Sequence, residues 1–275
     1  MTERYIQLAS GLKMYYQESG WGEIPVVFVP GWTMTSEVFC RQLTCFEDST
    51  AYRFITLDPR SHGLTATTAN GNYYEKHGED LHEFIIALGL EGLVLCGWSF
   101  ATLATLSYVS QFGSAKLAGF IMLDGPPRAC GESNKDDWVT YTFDDRDGAE
   151  EFFTMAKLKG PGKANHEFAT WMLEDRSSDA IEWIISMTVK TSNETAALLN
   201  ASAHFLDFRT ELIRIGELMP VWCVVRKNQY EVVTKWCADN LQTARISAFG
   251  EHMMFWEQSE RFNAELQDFL KTCVK

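Results

Sequence analysis

The segment around Ser99 constrains the fold of this chain more than any other. Residues 93–101 read Leu-Val-Leu-Cys-Gly-Trp-Ser-Phe-Ala, and a helical pattern starts at Thr102. An apolar run that breaks at Gly97 predicts a buried strand turning sharply into a helix, with the Ser99 hydroxyl at the tip of the turn. This spacing is that of a nucleophile elbow, Gly-x-Ser-x-Gly, with Ala101 in the last place. The alternative is a serine that caps an ordinary helix.

Short apolar runs alternate with helical patterns along most of the chain, which predicts an α/β fold with a mostly parallel sheet covered on both faces. The strand-like runs are Pro25–Pro30, Tyr52–Leu57, Leu93–Cys96, Leu117–Leu123, Val221–Val225 and Thr243–Phe249. The helical patterns are Ser36–Phe46, Tyr74–Leu88, Thr102–Phe112, Val232–Leu241 and Ser259–Val274. Tyr5–Leu8 and Lys13–Gln17 alternate around a Ser-Gly turn and predict an antiparallel edge hairpin.

The alternation stops between Pro126 and about Gly216, where we expect no strand and where aromatic residues recur at helical spacing. A chain of 275 residues is long for one domain and short for two, so one domain with an insertion is expected. We predict a core of residues 1–125 and 217–275 and a helical cap of residues 126–216. A cap would cover the carboxyl edge of the sheet, where open α/β sheets bind ligands. A bundle that packs only on itself is the alternative.

Composition narrows the class of partner. The formal net charge is −13, which argues against nucleic acid and anionic membrane as partners because both are polyanions. Hydrophobic residues make up 46% of the chain, with nine Trp and eighteen Phe, enough to build a large core and line an apolar pocket. We therefore expect a small-molecule substrate, no nucleic acid and no membrane, and leave a homodimer open.

The distribution of apolar residues and cysteines predicts a cytoplasmic protein. No stretch approaches the roughly 20 apolar residues of a transmembrane helix, and the first residues lack the apolar region of a signal peptide. The seven cysteines are odd in number and form no Cys-x-x-Cys pair. Such cysteines are typical of reduced core residues, so neither disulfides nor a metal site is expected.

A serine nucleophile needs a neighbouring base, and His252 is the predicted one. It follows the last strand-like run and precedes the terminal helix. In a parallel sheet the loop carrying it opens at the same edge as the turn carrying Ser99. His62, in the loop after an earlier strand, is expected to bond loop backbone instead.

The third member of such a set is a carboxylate that orients the histidine. Asp124 closes the apolar run before Gly-Pro-Pro, and a carboxylate there needs a partner because burying a bare charge is costly. The strand-like run that ends at Val225 is followed by no carboxylate before Glu231. We predict Asp124 as the acid, with Glu231 and Asn228 as alternatives. An aspartate that merely caps the following turn is the other interpretation.

Two backbone N–H groups should face the developing oxyanion. We expect one at Phe100, directly after the nucleophile, and the other at Trp32, with Thr33 as the alternative, in the loop that follows Pro30-Gly31. Six aromatic residues of the predicted cap are candidate walls of an apolar pocket, about half of them facing it. They are Trp138, Tyr141, Phe143, Phe152, Phe153 and Trp183.

Together these segments resemble the α/β-hydrolase superfamily over nearly the whole chain. The matching pieces are Pro30-Gly-Trp32, Asp58-Pro-Arg-Ser-His-Gly-Leu-Thr65, Gly97-Trp-Ser-Phe-Ala101 and Gly250-Glu-His252. The resemblance implies an eight-stranded, mostly parallel sheet with a helical cap inserted after the sixth strand. The superfamily's common acid site after the seventh strand is empty here. An acid after the sixth strand is similar to haloalkane dehalogenases and to the cofactor-free 3-hydroxy-4-quinolone 2,4-dioxygenases.

Three functions remain open from the sequence. The first is a serine hydrolase that cleaves an ester, lactone or amide of a small, largely apolar molecule through Ser99, His252 and Asp124. The second is a cofactor-independent dioxygenase or C–C-cleaving enzyme that uses a His252–Asp124 dyad on a hydroxylated N-heteroaromatic. The third is a ligand receptor on the same fold that has lost its chemistry. Both enzyme hypotheses imply that no cofactor is needed.

Overall fold

The computed structural model describes residues 2–133, 137–145, 148 and 150–273, with residues 150, 152 and 153 described by their backbone alone. Its centre is an eight-stranded sheet with the order β1-β2-β4-β3-β5-β6-β9-β10. These strands are β1 (Thr2–Gln7), β2 (Lys13–Ser19), β3 (Ile24–Val29), β4 (Tyr52–Leu57), β5 (Leu93–Trp98), β6 (Leu117–Leu123), β9 (Val221–Val225) and β10 (Arg245–Ala248).

Pairing is parallel from β4 through β10 and antiparallel only where β1 and β2 join the sheet. Strands β5 and β9 are buried along their whole length. This explains why their sequences are continuous apolar runs rather than alternating ones. The predicted eight-stranded, mostly parallel sheet and its edge hairpin are confirmed.

Helices cover both faces of the sheet. In chain order they are α1 (Cys40–Cys45), α2 (Tyr74–Ala87), α3 (Ala101–Phe112), α4 (Ala156–Lys159), α5 (Pro161–Met172), α6 (Ser178–Thr188), α7 (Asn193–Ala203), α8 (Arg209–Leu218), α9 (Tyr230–Asn240), α10 (Met254–Glu257) and α11 (Ser259–Cys273). Short 3-10 turns occupy Ser36–Phe39 and Lys227–Gln229, and a π-helical turn occupies Glu150–Met155.

Aromatic contacts identify which helix covers which face. Phe28 of β3 meets Phe262 of α11 at 6.3 Å between ring centroids, whereas Tyr16 of β2 meets Phe84 of α2 at 5.5 Å. Phe28 pairs with Thr56 of β4, and Tyr16 pairs with the next residue, Leu57. Because successive side chains of a strand point to opposite faces, these contacts place α11 and α2 on opposite sides. The buried cluster of apolar side chains therefore extends through both layers.

The segment 126–216 is mainly helical, but the expectation that it holds no strand is wrong. Two four-residue strands, β7 (Arg128–Gly131) and β8 (Val139–Thr142), pair in parallel to form a separate two-stranded sheet. They are too short and too polar to stand out as apolar runs. Helix α5 reaches the core, because the backbone N–H of Met253 donates to the carbonyl of Met172 at 3.2 Å. The division into core and cap stays a prediction.

Within the described residues, we find no helix that is both long enough and apolar enough to cross a lipid bilayer.

Candidate active site

Ser99 occupies the turn between β5 and α3. Its backbone φ is 57°, in the left-handed region that non-glycine residues rarely enter, and helix α3 begins two residues later. The backbone N–H of Ser99 donates to the carbonyl of Leu123 at 2.8 Å and ties the turn to the end of β6. Such strain in a well-packed turn is typical of functional sites.

Small residues make this turn sterically feasible. A Cβ added at Gly97 would lie 2.7 Å from the carbonyl oxygen of Ala101 and from the backbone N of Thr102. One added at Gly31 would lie 2.8 Å from the Cβ of Ser99. The strand, the helix and the loop after β3 therefore pack backbone against backbone around Ser99, which explains the glycines of the sequence pattern.

His252 and Asp124 meet at the carboxyl ends of the strands. Nδ1 of His252 lies 2.5 Å from Oδ2 of Asp124, and both side chains are almost fully buried. An ionised carboxylate only accepts hydrogen bonds, so Nδ1 carries the proton and Nε2 is left as the acceptor. The imidazole ring contacts two tryptophan rings, with centroid distances of 5.1 Å to Trp98 and 4.7 Å to Trp171. The histidine is thus held in one tautomer and one orientation.

Arg226, which sequence reasoning did not assign to the site, also contacts this carboxylate. Its backbone N–H donates to Oδ1 of Asp124 at 3.0 Å, and its Nε lies 2.8 Å from Oδ2. Arg226 directly follows β9, at the strand end where the sequence offered no carboxylate. An arginine there was the available signal, since a charged side chain at the end of a buried strand needs a partner of opposite charge.

The pKa values of the pair follow from burial and charge. Burial raises the pKa of the Asp124 carboxyl, but the charge of Arg226 and the hydrogen bond from His252 outweigh burial, and the pKa lies below its ordinary value. Burial lowers the pKa of His252, the contact with Asp124 offsets only part of this, and Arg226 lowers it further. Near neutral pH, Asp124 is therefore ionised and His252 is neutral, which is the state a general base requires.

The predicted oxyanion loop is held by contacts with the insertion. The indole N–H of Trp32 donates to the carbonyl of Ala196 in α7 at 2.7 Å, and its ring packs edge-on against Phe168 at 5.1 Å. The next residue, Thr33, has a left-handed φ of 60°. Phe100 is buried at the start of α3. Trp32, Phe100, Ser99 and His252 all line one cavity.

This cavity has a volume of about 330 Å³, at the lower end of the range for small-molecule sites. Of the six aromatic residues predicted to wall it, Trp138 and Tyr141 do. Phe143 and Trp183 do not. Phe143 is exposed to solvent, and Trp183 stacks on Trp256 with centroids 4.9 Å apart. The side chains of Phe152 and Phe153 lie outside the described residues.

The residues of the cavity wall that sequence reasoning missed include Phe168, Trp171, Arg226 and Gln229. The first two lie on α5, and Trp171 faces His252. Their spacing of three residues places them on one side of a helix, which the sequence does show. It does not show whether that side faces the cap or the sheet.

His62 belongs to a structural loop rather than to this site. It is buried, its Nδ1 lies 2.8 Å from the carbonyl of Arg60, and burial lowers its pKa to about 4. Asp58 in the same loop accepts the backbone N–H groups of Ser36 and Leu64, each at 2.7 Å. Through Asp58, this loop binds the backbone of Ser36, which follows the predicted oxyanion loop. In the described ranges, no cluster of three or more His, Cys, Asp or Glu side chains is arranged to hold a metal ion.

A serine on a strained strand–helix turn, a histidine bonded to a carboxylate and a shared cavity at the carboxyl edge of a parallel sheet define an α/β-hydrolase architecture. The family described as the alpha/beta hydrolase fold matches residues 24–154. The chain therefore has the α/β-hydrolase fold.

Similarity to individual proteins agrees with this assignment. A non-heme chloroperoxidase of Kitasatospora aureofaciens is 28% identical over 46% of this chain and 45% of that protein. A bifunctional esterase/perhydrolase of Acinetobacter calcoaceticus is 25% identical over 51% of this chain and 52% of that protein, so each of these matches covers about half of both chains. The crystal structure of a bromoperoxidase from Bacillus anthracis superposes with a TM-score of 0.86 at 20% identity, covering 98% of this chain and 100% of that one.

Proposed function

We propose that this protein is a serine hydrolase that cleaves an ester, lactone or amide bond of a small, largely apolar molecule. Ser99 is the nucleophile, His252 the general base, Asp124 the acid that orients it, and the backbone N–H groups of Trp32 and Phe100 form the oxyanion hole. The observation that carries the proposal is the 2.5 Å contact between Nδ1 of His252 and Oδ2 of Asp124, in the cavity that also contains Ser99.

In this mechanism Oγ of Ser99 attacks the substrate carbonyl carbon while its proton passes to Nε2 of His252. The tetrahedral oxyanion is stabilised by the two backbone N–H groups, and Asp124 stabilises the imidazolium. Collapse breaks the bond to the leaving group, which takes the proton from His252 and departs as an alcohol or amine. Water, deprotonated by His252, then attacks the acyl-enzyme and releases the acid and free Ser99.

Cavity size and lining support a small, apolar substrate. A volume of about 330 Å³ is walled largely by aromatic rings, including Trp138, Tyr141, Phe168 and Trp171. Related sequences named as an esterase/perhydrolase and as a chloroperoxidase support hydrolase-type chemistry in general.

Labelling with a fluorophosphonate probe tests the nucleophile. The probe should attach to Ser99, located by mass spectrometry of the intact and digested protein. Ser99→Ala should abolish labelling and lower ester turnover by several orders of magnitude while the circular dichroism spectrum stays the same. A folded wild-type protein that neither labels nor hydrolyses aryl esters would contradict the proposal.

A second candidate is the cofactor-independent dioxygenation of a hydroxylated N-heteroaromatic. The position of Asp124 after β6, with Arg226 rather than an acid after β9, favours it. His252 would remove the hydroxyl proton, the resulting anion would react with O₂, and Ser99 would only orient the substrate. In that case Ser99→Ala should lower turnover much less than His252→Ala does. In a hydrolase both substitutions should lower turnover severely.

A further inference from the structure

A positive charge lies in the wall of an otherwise largely aromatic cavity. Among the described lining residues, Arg226 is the only lysine or arginine, and Asp124 is the only carboxylate. Asp124 is almost completely buried, whereas the Arg226 side chain keeps 19% of its surface exposed. The cation therefore faces the space a substrate would occupy more openly than the carboxylate does.

One end of the guanidinium is fixed and the other is not engaged. The Nε end lies 2.8 Å from Oδ2 of Asp124, as an ion pair whose N–H is not aligned for a hydrogen bond. One face of the group lies over Trp171, with Cζ 4.9 Å from the ring centroid. Within the described chain, the two Nη nitrogens have no hydrogen-bond partner. A guanidinium has five N–H donors in a planar fork, so Arg226 can bind a second anion without releasing Asp124.

The rest of the wall matches a ligand with an apolar body and one charged end. Phe168 and Trp171 stack at 6.0 Å between centroids, which leaves a flat aromatic surface beside Arg226. Thr140 and Gln229 line the same cavity and add polar groups to its wall. A carboxylate is the group whose two oxygens fit the arginine fork best.

We propose that Arg226 binds a carboxylate of the substrate, so that this enzyme prefers esters carrying an acidic group at some distance from the bond that is cleaved. This inference rests on the proposed hydrolase function and specifies its substrate class. It assigns Arg226 a role in specificity that is separate from its contact with Asp124.

A matched set of esters tests the preference. The acids are 3- and 4-acetoxybenzoate, with the charge on the leaving group, and monomethyl succinate and adipate, with the charge on the acyl group. Each is compared with its neutral primary amide. The wild-type protein should hydrolyse at least one acid with a kcat/KM about tenfold or more above that of its amide, as expected for a charge-assisted contact. No preference in any pair would overturn the proposal.

Arg226 variants separate specificity from positioning. Arg226→Gln should reduce the acid-to-amide ratio to near one, and Arg226→Lys should restore part of it. Arg214→Gln, at an exposed arginine on α8 outside the cavity, should leave the ratio unchanged. If Arg226→Gln lowers turnover of acids and amides equally, the residue only positions Asp124 and the proposal is wrong.

Binding measured without turnover distinguishes failure of this inference from failure of the hydrolase function. Ser99→Ala is titrated with 4-hydroxybenzoate and 4-hydroxybenzamide by calorimetry, and the acid should bind more tightly by about tenfold. Adding Arg226→Gln should remove the difference. This result would support the carboxylate site even if no ester were hydrolysed. Equal affinities for 4-hydroxybenzoate and 4-hydroxybenzamide would overturn the proposal. So would the absence of detectable binding when 4-hydroxybenzoate and each of the four acids above are titrated into Ser99→Ala.

Discussion

Asp124 and Arg226 end two neighbouring parallel strands, and Arg226 holds both carboxylate oxygens of Asp124. Its backbone N–H donates to Oδ1 at 3.0 Å, and its Nε lies 2.8 Å from Oδ2. The same Oδ2 lies 2.5 Å from Nδ1 of His252. One oxygen is therefore shared between a permanent cation and a titrating imidazole. This sharing stabilises the charge of Asp124 but weakens the basicity that Asp124 gives to His252.

Replacing Asp124 by asparagine should lower ester turnover by roughly 10³–10⁴-fold, because the amide would hold the wrong tautomer of His252. Kinetics with a neutral aryl ester measure the loss. The matched control is Glu231→Gln, at an exposed carboxylate in the first turn of α9, which should leave turnover unchanged. A severe loss at Glu231 together with a mild one at Asp124 would reverse the assignment.

The fall of kcat/KM at acid pH should occur below the pH range in which an ordinary histidine titrates. His252 accepts a proton only when neutral, and burial lowers its pKa below 6.5, so kcat/KM should stay high at pH 6.5 and fall only at lower pH. The charged groups that act on it are Asp124, which raises its pKa, and Arg226, which lowers it.

Removing the charge of Arg226 should therefore move this fall of kcat/KM to higher pH. The measurement is kcat/KM of a neutral ester against pH for the wild type and Arg226→Gln, with Arg214→Gln as the control. A fall that stays in place or moves to lower pH would contradict the electrostatic account. This readout is independent of whether the substrate carries an acidic group.

Two tryptophans of the insertion should respond differently to substitution. Trp171 lies 4.7 Å from His252 and lines the cavity, whereas Trp183 stacks on Trp256 away from it. Trp171→Leu should raise KM for an aryl ester about three- to tenfold, as expected from an aromatic contact of ~0.5–1.5 kcal/mol. Trp183→Leu should lower the melting temperature and leave KM unchanged. Equal effects on KM would mean that the cavity extends to α6.

The fold and the catalytic candidates could be predicted from the sequence because each depends on local chemistry. Buried parallel strands are continuous apolar runs, so Val221–Val225 stands out without reference to any other segment. Ser99 lies two residues after Gly97 and two residues before Ala101, and these small residues indicate that the backbones of the strand and the helix approach closely there. Asp124 is an isolated carboxylate at the end of an apolar strand, which restricts it to few partners.

The cavity wall could not be predicted in the same way, because it depends on how the helices of the insertion pack on the sheet. Trp171 and Trp183 have the same residue type and similar helical contexts, yet only Trp171 faces His252. Arg226 was missed for a related reason. Its role depends on a contact with Asp124, 102 positions earlier in the sequence, and the two meet only because β6 and β9 are neighbours in the sheet.

Gly31→Ala should disrupt the site by steric contact alone. The added Cβ would lie 2.8 Å from Cβ of Ser99 and 3.1 Å from the carbonyl oxygen of Trp98, and neither group can move without shifting the elbow. We expect a loss of stability of ~1–3 kcal/mol, as for overpacking elsewhere, and a large drop in fluorophosphonate labelling of Ser99.

Gly162→Ala is the control, because its added Cβ meets nothing within 4 Å on an exposed turn of α5. It should be neutral or stabilising by up to about 1 kcal/mol. Thermal melts and labelling rates compare the two variants, and normal labelling in Gly31→Ala would show that the loop after β3 does not pack against the nucleophile.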